Sequence, residues 1–279
     1  MNKTLKIKGN NNQVAFKGDI FNLYVPNYSS YYKEVNKEIS LKNIFSSKVL
    51  KVISEINKYD TTFNIEVLGS LLEINSLDEL LVYFNTSKEP SFEFMDMVSK
   101  NINISSSWLK YSNGNIFDIE SIYCYPLSNF YEVILEKKPL NIYVILKEGK
   151  DMEIMILLQI DKYKYQRYYK SIALYEVMGA TGKSEIYELY KFFKKLNSNS
   201  LLYLNTYGLW LNDNIFNAIM SGKIYPGAIH KEKEGINYFY EDFLDIEHKY
   251  FDEDAYLKMY NKNFLIGQEI IRYYLKGKL

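Results

Sequence analysis

The stretch IEVLGSLLEINSLDELLVYFNTSKEPSFEFMDMVSKNINISSSWLKYSNGNIF, residues 65–117, decides the fold of this chain. Its apolar residues recur at helical spacing in short blocks that are separated by short polar turns. Ser76 is followed by Glu79 in a capping-box pattern, and Ser91 stands behind Pro90 as a second helix cap. Together with SSKVLKVISEINKYD, residues 46–60, the pattern predicts a compact domain at 44–118 with about four or five short helices.

The same stretch resembles the Cro/phage-repressor type of helix-turn-helix domain. Leu68 and Leu72 occupy the apolar positions of that family's first motif helix, Ile74 precedes the turn, and Ser76 caps the second helix. The closing motif of the family is matched by Trp108, Leu109, Gly114 and Phe117. The resemblance covers about a quarter of the chain and implies that residues 76–85 form a recognition helix.

A recognition helix of this type contacts base edges in the major groove of duplex DNA. The resemblance therefore implies DNA binding by the helix from Ser76 to Asn85, with Ser87, Lys88 and Ser91 contacting phosphate. The candidate residues for binding DNA or a protein partner are Ser76, Leu77, Asp78, Glu79, Tyr83, Asn85, Ser87, Lys88 and Ser91.

The charge of the helical segment argues against DNA. Residues 44–120 contain six lysines against eleven acidic side chains, and Asp78 and Glu79 stand where bases would be met. Phosphate neutralisation supplies most of the affinity of a protein for DNA. Acidic residues at a helix N-terminus also have a structural reason, since they complement the helix dipole. A helix-turn-helix that docks a protein partner is therefore the competing interpretation.

Residues 120–279 follow an α+β order. Five β-branched and aromatic runs predict strands joined as an antiparallel meander: IYCYPL, FYEVILE, NIYVILKEG, DMEIMILLQI and YKSIALYEV. Three helices are predicted after them, in KSEIYELYKFFKKL, NDNIFNAIMSG and DAYLKMYNKNFLIGQEIIRYYL. The fold class predicted for the chain is α+β: an N-terminal β-hairpin, an all-helical helix-turn-helix domain, and an antiparallel sheet packed with helices.

The N-terminal segment suggests a hairpin that associates with other copies of the chain. Residues 1–28 read as strand, an Asn-rich turn at Gly9, and strand, and residues 29–43 read as a linker. The segment IKGNNNQVAFKGDI resembles the Asn/Gly/Gln-Val repeats of bacterial amyloid-signalling motifs, in which amide side chains stack in ladders between chains. The candidate self-association residues are Asn10, Asn11, Asn12, Gln13 and Val14. Lysines at 3, 6, 8 and 17 would oppose such stacking.

The stretch VMGATGKSEIYELYKFF, residues 177–193, looks like a nucleotide-binding loop but lacks its first glycine. A P-loop needs Gly, four residues, and then Gly-Lys-Ser/Thr. Val177 occupies the position of the first glycine before Gly182–Lys183–Ser184. The stretch therefore predicts a glycine turn between a strand and a helix, with Gly179 and Gly182 in the turn.

The sequence has only weak patterns for catalysis, for binding a metal ion and for binding single-stranded nucleic acid. His230 and His248 have no nucleophile pattern beside them, and the acidic run at 242–254 lacks the spacing of a calcium loop, so a solvated helix face is expected there. The basic, tyrosine-rich run at 162–169 suggests either stacking on single-stranded bases or a strand that buries one tyrosine face. We expect no enzyme, no cofactor and no metal.

The bulk composition indicates a cytoplasmic protein without a membrane span. The chain has 279 residues, 34 basic against 34 acidic side chains, and one cysteine.

The sequence as a whole leaves two functional hypotheses. The first is a bacterial or prophage transcriptional regulator that binds duplex DNA as a homo-oligomer, with an oligomerisation or sensing domain at 120–279. The second is a non-enzymatic assembly or signalling adaptor, for example in phage defence, whose acidic helix-turn-helix docks protein and whose hairpin self-associates.

Overall fold

The computed structural model of this protein describes residues 12–16, 19–23, 44–74, 76–86, 88–149, 152–174, 179–235 and 239–277. For residues 12–16, 19–23 and 232–235 it describes the backbone alone. Residues 44–277 form three layers, in which a central sheet lies between two groups of helices.

The secondary structure alternates between short helices and short strands. The helices are α1 Ile44–Ile56, α2 Ile65–Leu71, α3 Leu77–Asn85, α4 Phe92–Asn101, α5 Ser106–Tyr111, α6 Phe130–Lys137, α7 Ala180–Ser198, α8 Ser200–Leu204, α9 Asp213–Met220, α10 Phe239–Leu244, α11 Glu253–Met259 and α12 Lys262–Leu275. The strands are β1 Asn12–Phe16, β2 Asp19–Leu23, β3 Glu120–Ile122, β4 Asn141–Lys147, β5 Glu153–Asp161, β6 Lys164–Tyr168, β7 Ile172–Ala173 and β8 Thr206–Leu211. The described residues also contain two 3-10 segments, Leu127–Asn129 and Pro226–Gly235.

The α+β class is confirmed, but the sheet is mixed where an antiparallel one was expected. Its strand order is β3-β6-β5-β4-β8, and β7 also pairs with β5. Strands β4 and β5 lie in the predicted runs NIYVILKEG and DMEIMILLQI, and they form an antiparallel meander with β6, which lies outside the five predicted runs. Strand β3 pairs with β6 in parallel, and β8 pairs with β4 in parallel. The two parallel strands reach their places through long connections, which a series of local hairpin signals does not reveal.

Both faces of the sheet are buried. In β4, Tyr143 and Ile145 face one hydrophobic core, and Ile142, Val144 and Leu146 face the other. The first core is shared with α1–α5, and the second with α6, α7 and α10–α12. This double burial explains why the central strands read as continuous apolar runs and not as alternating ones.

Three helices of the helical segment, α2, α3 and α4, begin at N-cap residues that the sequence marks. Asn64 Oδ1 accepts a hydrogen bond from the Val67 amide, and Ser91 Oγ accepts one from the Phe94 amide. Ser76 Oγ accepts from the amide of Asp78. Helix α1 starts at Ile44, two residues before the run SSKVLKVISEINKYD that predicted it, so Ser46 is buried within the helix and does not cap it.

The α1–α5 layer is joined to the sheet by packing and by polar contacts. The ring of Phe63 packs on Tyr163 with centroids 4.6 Å apart. The Phe117 amide donates to the carbonyl of Gly222 at 2.9 Å. Phe117 belongs to the motif that closes the helical segment, so this motif docks the segment onto the second half of the chain. Residues 44–118 and 120–277 thus share one hydrophobic core.

The segment FYEVILE is a helix and not the predicted strand. Phe130 and Ile134, four residues apart, are fully buried on one side of α6. A short apolar run is compatible with the periodicity of a strand and with that of a helix. Here the 3-10 turn Leu127–Asn129 leads directly into α6.

Further elements differ from expectation. Of the predicted strands IYCYPL and YKSIALYEV, the described residues contain only the end of β3 at Ile122 and the short β7, Ile172–Ala173. Helices α8 and α10 were not predicted. Strand β8, TYGLWL, was not predicted, although it is the parallel neighbour of β4. The last predicted helix is two helices, because Asn261 caps α12 by accepting from the amides of Asn263 and Phe264.

The glycine turn predicted before α7 is shorter than expected. The helix begins at Ala180 with Gly179 as its N-cap, so Gly182, Lys183 and Ser184 lie inside it. Val177 and Met178 lie outside the described residues.

The described part of the N-terminal segment contains a β-hairpin at a different place from the predicted one, because both of its strands follow the turn expected at Gly9, which lies outside the described residues. Strands β1 and β2 pair antiparallel with Val14 opposite Phe21. The chain reverses between Phe16 and Asp19, so Asn12 lies in β1 and not in the turn expected after Gly9.

Within the described residues, no helix combines the length and the apolar character that a bilayer span requires.

Candidate functional site

The residues predicted to bind DNA or a partner are mostly exposed at α3 and just after it. Of the nine, the exposed ones are Ser76, Asp78, Glu79, Asn85, Lys88 and Ser91. Ser87 lies outside the described residues. Ser76 and Ser91 act as helix caps, and their hydroxyl oxygens accept hydrogen bonds from backbone amides.

Leu77 and Tyr83 are partly buried and contribute to packing. A Cβ placed on Gly69 would lie 3.3 Å from Leu77 Cδ1, so α2 and α3 approach closely there. The ring of Tyr83 lies 6.0 Å from that of Phe45 and 5.0 Å from that of Phe94. These two side chains hold α3 in place, so the exposed part of α3 is its polar face.

The exposed face of α2 and α3 is acidic. Its exposed carboxylates are those of Glu66, Glu73, Asp78 and Glu79. Asp78 and Glu79 lie in the first turn of α3, where negative charge complements the free amides of the helix. We call these four residues the acidic α2–α3 face.

Several lysines of the helical layer are engaged within the protein. Lys48 is buried, its Nζ donates to the Leu109 carbonyl at 2.7 Å, and burial lowers the pKa of its ammonium. Lys110 is ion-paired with Asp96 at 2.6 Å. Lys58 is paired with Glu55 at 2.5 Å. Lys51, Lys88 and Lys100 are exposed. The excess of acidic side chains over lysines at 44–120, eleven against six, is what leaves the acidic α2–α3 face only partly compensated by positive charge.

The predicted self-association residues fall only partly within the structure. Asn12, Gln13 and Val14 lie in β1, and Asn10 and Asn11 lie outside the described residues.

A polar pocket of about 500 Å³ lies where the helical layer, the sheet and the 3-10 segment Pro226–Gly235 meet. We call it the junction pocket. The α1–α2 loop contributes the first wall, the ends of β4 and β5 with the turn into β6 the second, and residues around the 3-10 segment the third. Its lining residues are Tyr59, Asp60, Thr61, Asn141, Gln159, Lys162, Tyr165, Tyr225, Gly227 and His230.

Hydrogen bonds fix many of the side chains of the junction pocket. The Tyr165 hydroxyl and Nε2 of His230 share a hydrogen bond of 2.8 Å. Gln159 Oε1 accepts from Asn141 Nδ2 at 2.7 Å and from the Tyr143 hydroxyl at 3.1 Å. Burial raises the pKa of Tyr165, so this hydroxyl stays neutral.

Charge in the junction pocket is balanced. Lys162 Nζ lies 3.4 Å from Asp60 Oδ2 and donates to Thr62 Oγ1 at 2.8 Å. Burial alone would raise the pKa of Asp60, but hydrogen bonds from Thr62 and the charge of Lys162 outweigh it and lower that pKa. The two charges thus face each other across the rim of the pocket.

Neither a family model nor a curated protein nor a solved structure matches this chain. The resemblance to repressor-type helix-turn-helix domains therefore stays a prediction from the sequence.

The acidic run at 242–254 is more structured than the solvated helix face that was expected. Asp245 is buried and accepts hydrogen bonds from the Lys249 and Tyr250 amides and from the Tyr256 hydroxyl. The Tyr260 hydroxyl donates to Asp242. Among the described residues, no group of three or more histidine, cysteine or carboxylate side chains is arranged to hold a metal ion.

The two histidines lie in different parts of the fold. His230 belongs to the junction pocket, whereas Nε2 of His248 lies 3.0 Å from Gln268 Oε1 and 2.8 Å from Arg272 Nη2. The tyrosine-rich run at 162–169 forms β6 and its flanks, with Tyr163, Tyr165 and Tyr168 buried. The interpretation as a strand with buried tyrosines is therefore confirmed.

The sequence did not point to the junction pocket. Its residues come from four separate stretches between Tyr59 and His230, and none of these stretches has a motif. The nearest signal was the tyrosine-rich run, which supplies Lys162 and Tyr165.

Proposed function

We propose that this protein is a non-enzymatic assembly or signalling adaptor that acts in the bacterial cytoplasm. Its acidic α2–α3 face would bind a protein partner that presents a basic surface. The observation that carries the proposal is the exposure of four carboxylates along α2, the turn after it and α3: Glu66, Glu73, Asp78 and Glu79. Complementary charge of this kind steers association and selects partners.

The engaged lysines support this choice over DNA. DNA binding needs exposed cations to replace the counterions of phosphates. In the described part of the helical layer, Lys48 is buried and Lys58 and Lys110 are ion-paired with carboxylates. The surface that would meet the duplex has Asp78 and Glu79 at the helix end nearest the bases.

A DNA-binding regulator is the second candidate, because the helix boundaries fit the repressor-type motif. Helix α3 begins after Ser76 and α4 begins after Ser91, at the caps which the resemblance implies. Asn85, Lys88 and Ser91 are exposed, as contacts to base edges and phosphate require. Such a regulator would act as a homo-oligomer on a two-fold DNA site.

A DNA-binding assay distinguishes the adaptor from the DNA-binding regulator. We would titrate a fluorescent random duplex with the full chain at low salt, where electrostatic attraction is least screened. The adaptor proposal expects no binding by the natural protein and weak, salt-sensitive binding by the double variant Asp78→Lys/Glu79→Lys. Binding by the natural protein would sink the adaptor proposal and favour the regulator.

Partner docking is tested by photo-crosslinking in cells that naturally express the protein. A crosslinking amino acid at Asn85 should give a specific adduct, because Asn85 is exposed at the end of α3. The adduct should disappear with Asp78→Lys/Glu79→Lys. It should persist with Glu136→Lys, a matched reversal at an exposed carboxylate of α6 on the other side of the sheet. Equal loss with both variants would contradict docking by the acidic α2–α3 face.

Self-association of the adaptor is assigned to the N-terminal hairpin. Light scattering of the chain without residues 1–28 should give a smaller oligomer than the full chain. Gln13→Lys/Val14→Lys should have the same effect, because like charges in stacked strands repel. An unchanged oligomer size in both cases would refute a role for the hairpin.

A further inference from the structure

The two polar contacts of the His248 ring cannot both be hydrogen bonds at the same time. Nε2 of His248 lies 2.8 Å from Arg272 Nη2, which can only donate, and 3.0 Å from Gln268 Oε1, which can only accept. One ring nitrogen is either a donor or an acceptor. Nε2 therefore bonds to Arg272 when it carries no proton, and to Gln268 when it carries one.

The side-chain amide of Gln268 is held in one orientation. Gln268 is fully buried, and its Nε2 donates to the carbonyls of Asp242 at 3.0 Å and Asp245 at 3.3 Å. Turning the amide over would place its oxygen against these two carbonyl oxygens. Gln268 Oε1 thus stays directed at His248, and it faces a lone pair whenever Nε2 carries no proton. A buried acceptor in that position is costly.

The guanidinium of Arg272 is the group that can take another partner. Its printed contacts use Nε, which donates to the Ile246 carbonyl, and Nη2, which faces His248. A guanidinium has five N–H groups, so further donors remain on Nη1 and Nη2. Arg272 is half-buried and lines a cavity of about 590 Å³, which we call the Arg272 pocket. A molecule in this pocket can therefore reach the guanidinium.

The Arg272 pocket favours a negatively charged group. It lies between the loop after α10 and the C-terminal end of α12, and its lining residues are Ile246, Glu247, His248, Arg272, Leu275 and Lys276. Lys276 is exposed and adds a second positive charge to that of Arg272. The carboxylate in the lining, that of Glu247, is paired with Lys249 at 2.8 Å.

The shape and the charge of the lining select a carboxylate. A guanidinium binds a planar carboxylate through two parallel hydrogen bonds. Ile246 and Leu275 offer apolar contact to the rest of such a molecule, and Glu247 disfavours a doubly charged group. We propose that the Arg272 pocket binds an organic monocarboxylate with an apolar body. Its binding draws Arg272 Nη2 away from His248, so that Nε2 takes up a proton and donates to Gln268.

Proton uptake makes the binding depend on pH. The charged and titratable groups around His248 are Asp245, Glu247, Lys249, Tyr256, Arg272 and Lys276. A carboxylate bound among them favours the imidazolium, and by linkage the proton favours the carboxylate to the same extent. Histidine is the side chain that titrates between about pH 5 and pH 8. The carboxylate should therefore bind more tightly as the pH falls through this range.

The Arg272 pocket and the acidic α2–α3 face lie in layers on opposite sides of the sheet. The two proposals are therefore independent, and either can fail without the other.

Calorimetric titration of the full chain with benzoate tests the site. We expect a dissociation constant below about 1 mM at about pH 6, and binding at least about fivefold weaker at about pH 8. Benzamide has the same shape without the charge and should bind about tenfold more weakly than benzoate. His248→Asn should bind benzoate equally well at both pH values. Asparagine suits this position because it tolerates the φ of 52° there.

Two charge reversals locate the site. Lys276→Glu, at an exposed position of the pocket lining, should weaken benzoate binding about tenfold. Lys258→Glu, a matched reversal at an exposed position of α11, should leave the affinity unchanged. Thermal unfolding without benzoate checks that all variants fold as the natural protein does.

The proposal is overturned if benzoate does not bind at about pH 6, or if both lysine reversals have the same effect. The assigned role of His248 is overturned by equal affinity of the natural protein at both pH values, or by a pH dependence that persists in His248→Asn. Tighter binding of phenyl phosphate than of benzoate would overturn the assignment to a monocarboxylate.

Discussion

Asn103 and Tyr165 exchange two hydrogen bonds across the boundary between the helical layer and the sheet. Asn103 Nδ2 donates to the Tyr165 carbonyl at 2.8 Å, and the Tyr165 amide donates to Asn103 Oδ1 at 2.6 Å. The side-chain amide of Asn103 thus pairs with β6 as a neighbouring strand would. Both residues are buried, so the pair also fixes how the helices sit on the sheet.

Asn103→Ala should lower the free energy of unfolding by about 3 kcal/mol, because it leaves a buried amide and carbonyl of β6 unsatisfied. The positive φ of 54° at Asn103 adds to the cost, since alanine tolerates it less well than asparagine. Urea unfolding measures the change. The control is Asn115→Ala, which removes an exposed hydrogen bond to the Ser221 carbonyl and should cost less than about 1 kcal/mol. Equal losses of unfolding free energy for the two variants would show that the buried pair of Asn103 with Tyr165 stabilises the protein no more than an exposed hydrogen bond does.

Gly222→Ala should destabilise the protein by more than about 2 kcal/mol. A Cβ at Gly222 would lie 1.9 Å from the Phe117 carbonyl oxygen, and the backbone there has φ +73°. Gly114→Ala is the matched control, because Gly114 has φ +81° and open space around the position of its Cβ. It should cost only about 1 kcal/mol, the price of the positive φ. Thermal unfolding of both variants separates the effect of the clash from that of the positive φ. A smaller loss of stability for Gly222→Ala than for Gly114→Ala would contradict the close approach of Gly222 to the Phe117 carbonyl.

Asp245 should make the protein less stable in acid. Burial alone would raise the pKa of its carboxyl, but hydrogen bonds from the Tyr250 and Lys249 amides and the Tyr256 hydroxyl outweigh it and hold the pKa below 3.8. A lowered pKa means that the stabilisation is present above pH 3.8 and is lost as the pH falls through the pKa of the folded state. We would measure the free energy of unfolding in urea at a series of pH values. Below pH 3.8 it should fall less steeply with decreasing pH for Asp245→Asn than for the natural protein. If the unfolding free energies of the two proteins fell in parallel with pH, Asp245 would not contribute to the loss of stability in acid.

Ser76→Ala should destabilise the protein by about 1 kcal/mol through loss of the N-cap of α3. The Ser76 hydroxyl accepts from the Asp78 amide, which has no partner within the first turn of a helix. Ser54→Ala, an exposed change inside α1, should stay within about 0.5 kcal/mol of the natural protein. Chemical unfolding gives both values, and a neutral Ser76→Ala would mean that α3 does not depend on this cap.

Local signals in the sequence determined where three helices of the helical layer begin and which strands lie at the centre of the sheet. The caps at Asn64, Ser76 and Ser91 depend on residues only a few positions away, so the chain itself specifies them. The apolar runs of β4 and β5 likewise predicted buried strands. The exposed carboxylates Asp78 and Glu79 also follow from the sequence, because their helix buries Leu80 and Phe84 instead.

Only the tertiary structure decided which side chains meet across the layers. The parallel pairing of β8 with β4, the contact of Phe117 with Gly222, and the pair of Asn103 with Tyr165 join residues at least 60 positions apart. The junction pocket arises in the same way, since Tyr59, Gln159 and Tyr225 are brought together only when the helices pack on the sheet. The physical reason is that periodicity and capping act over a few residues, whereas packing complementarity and shared burial act between elements that are distant in the chain.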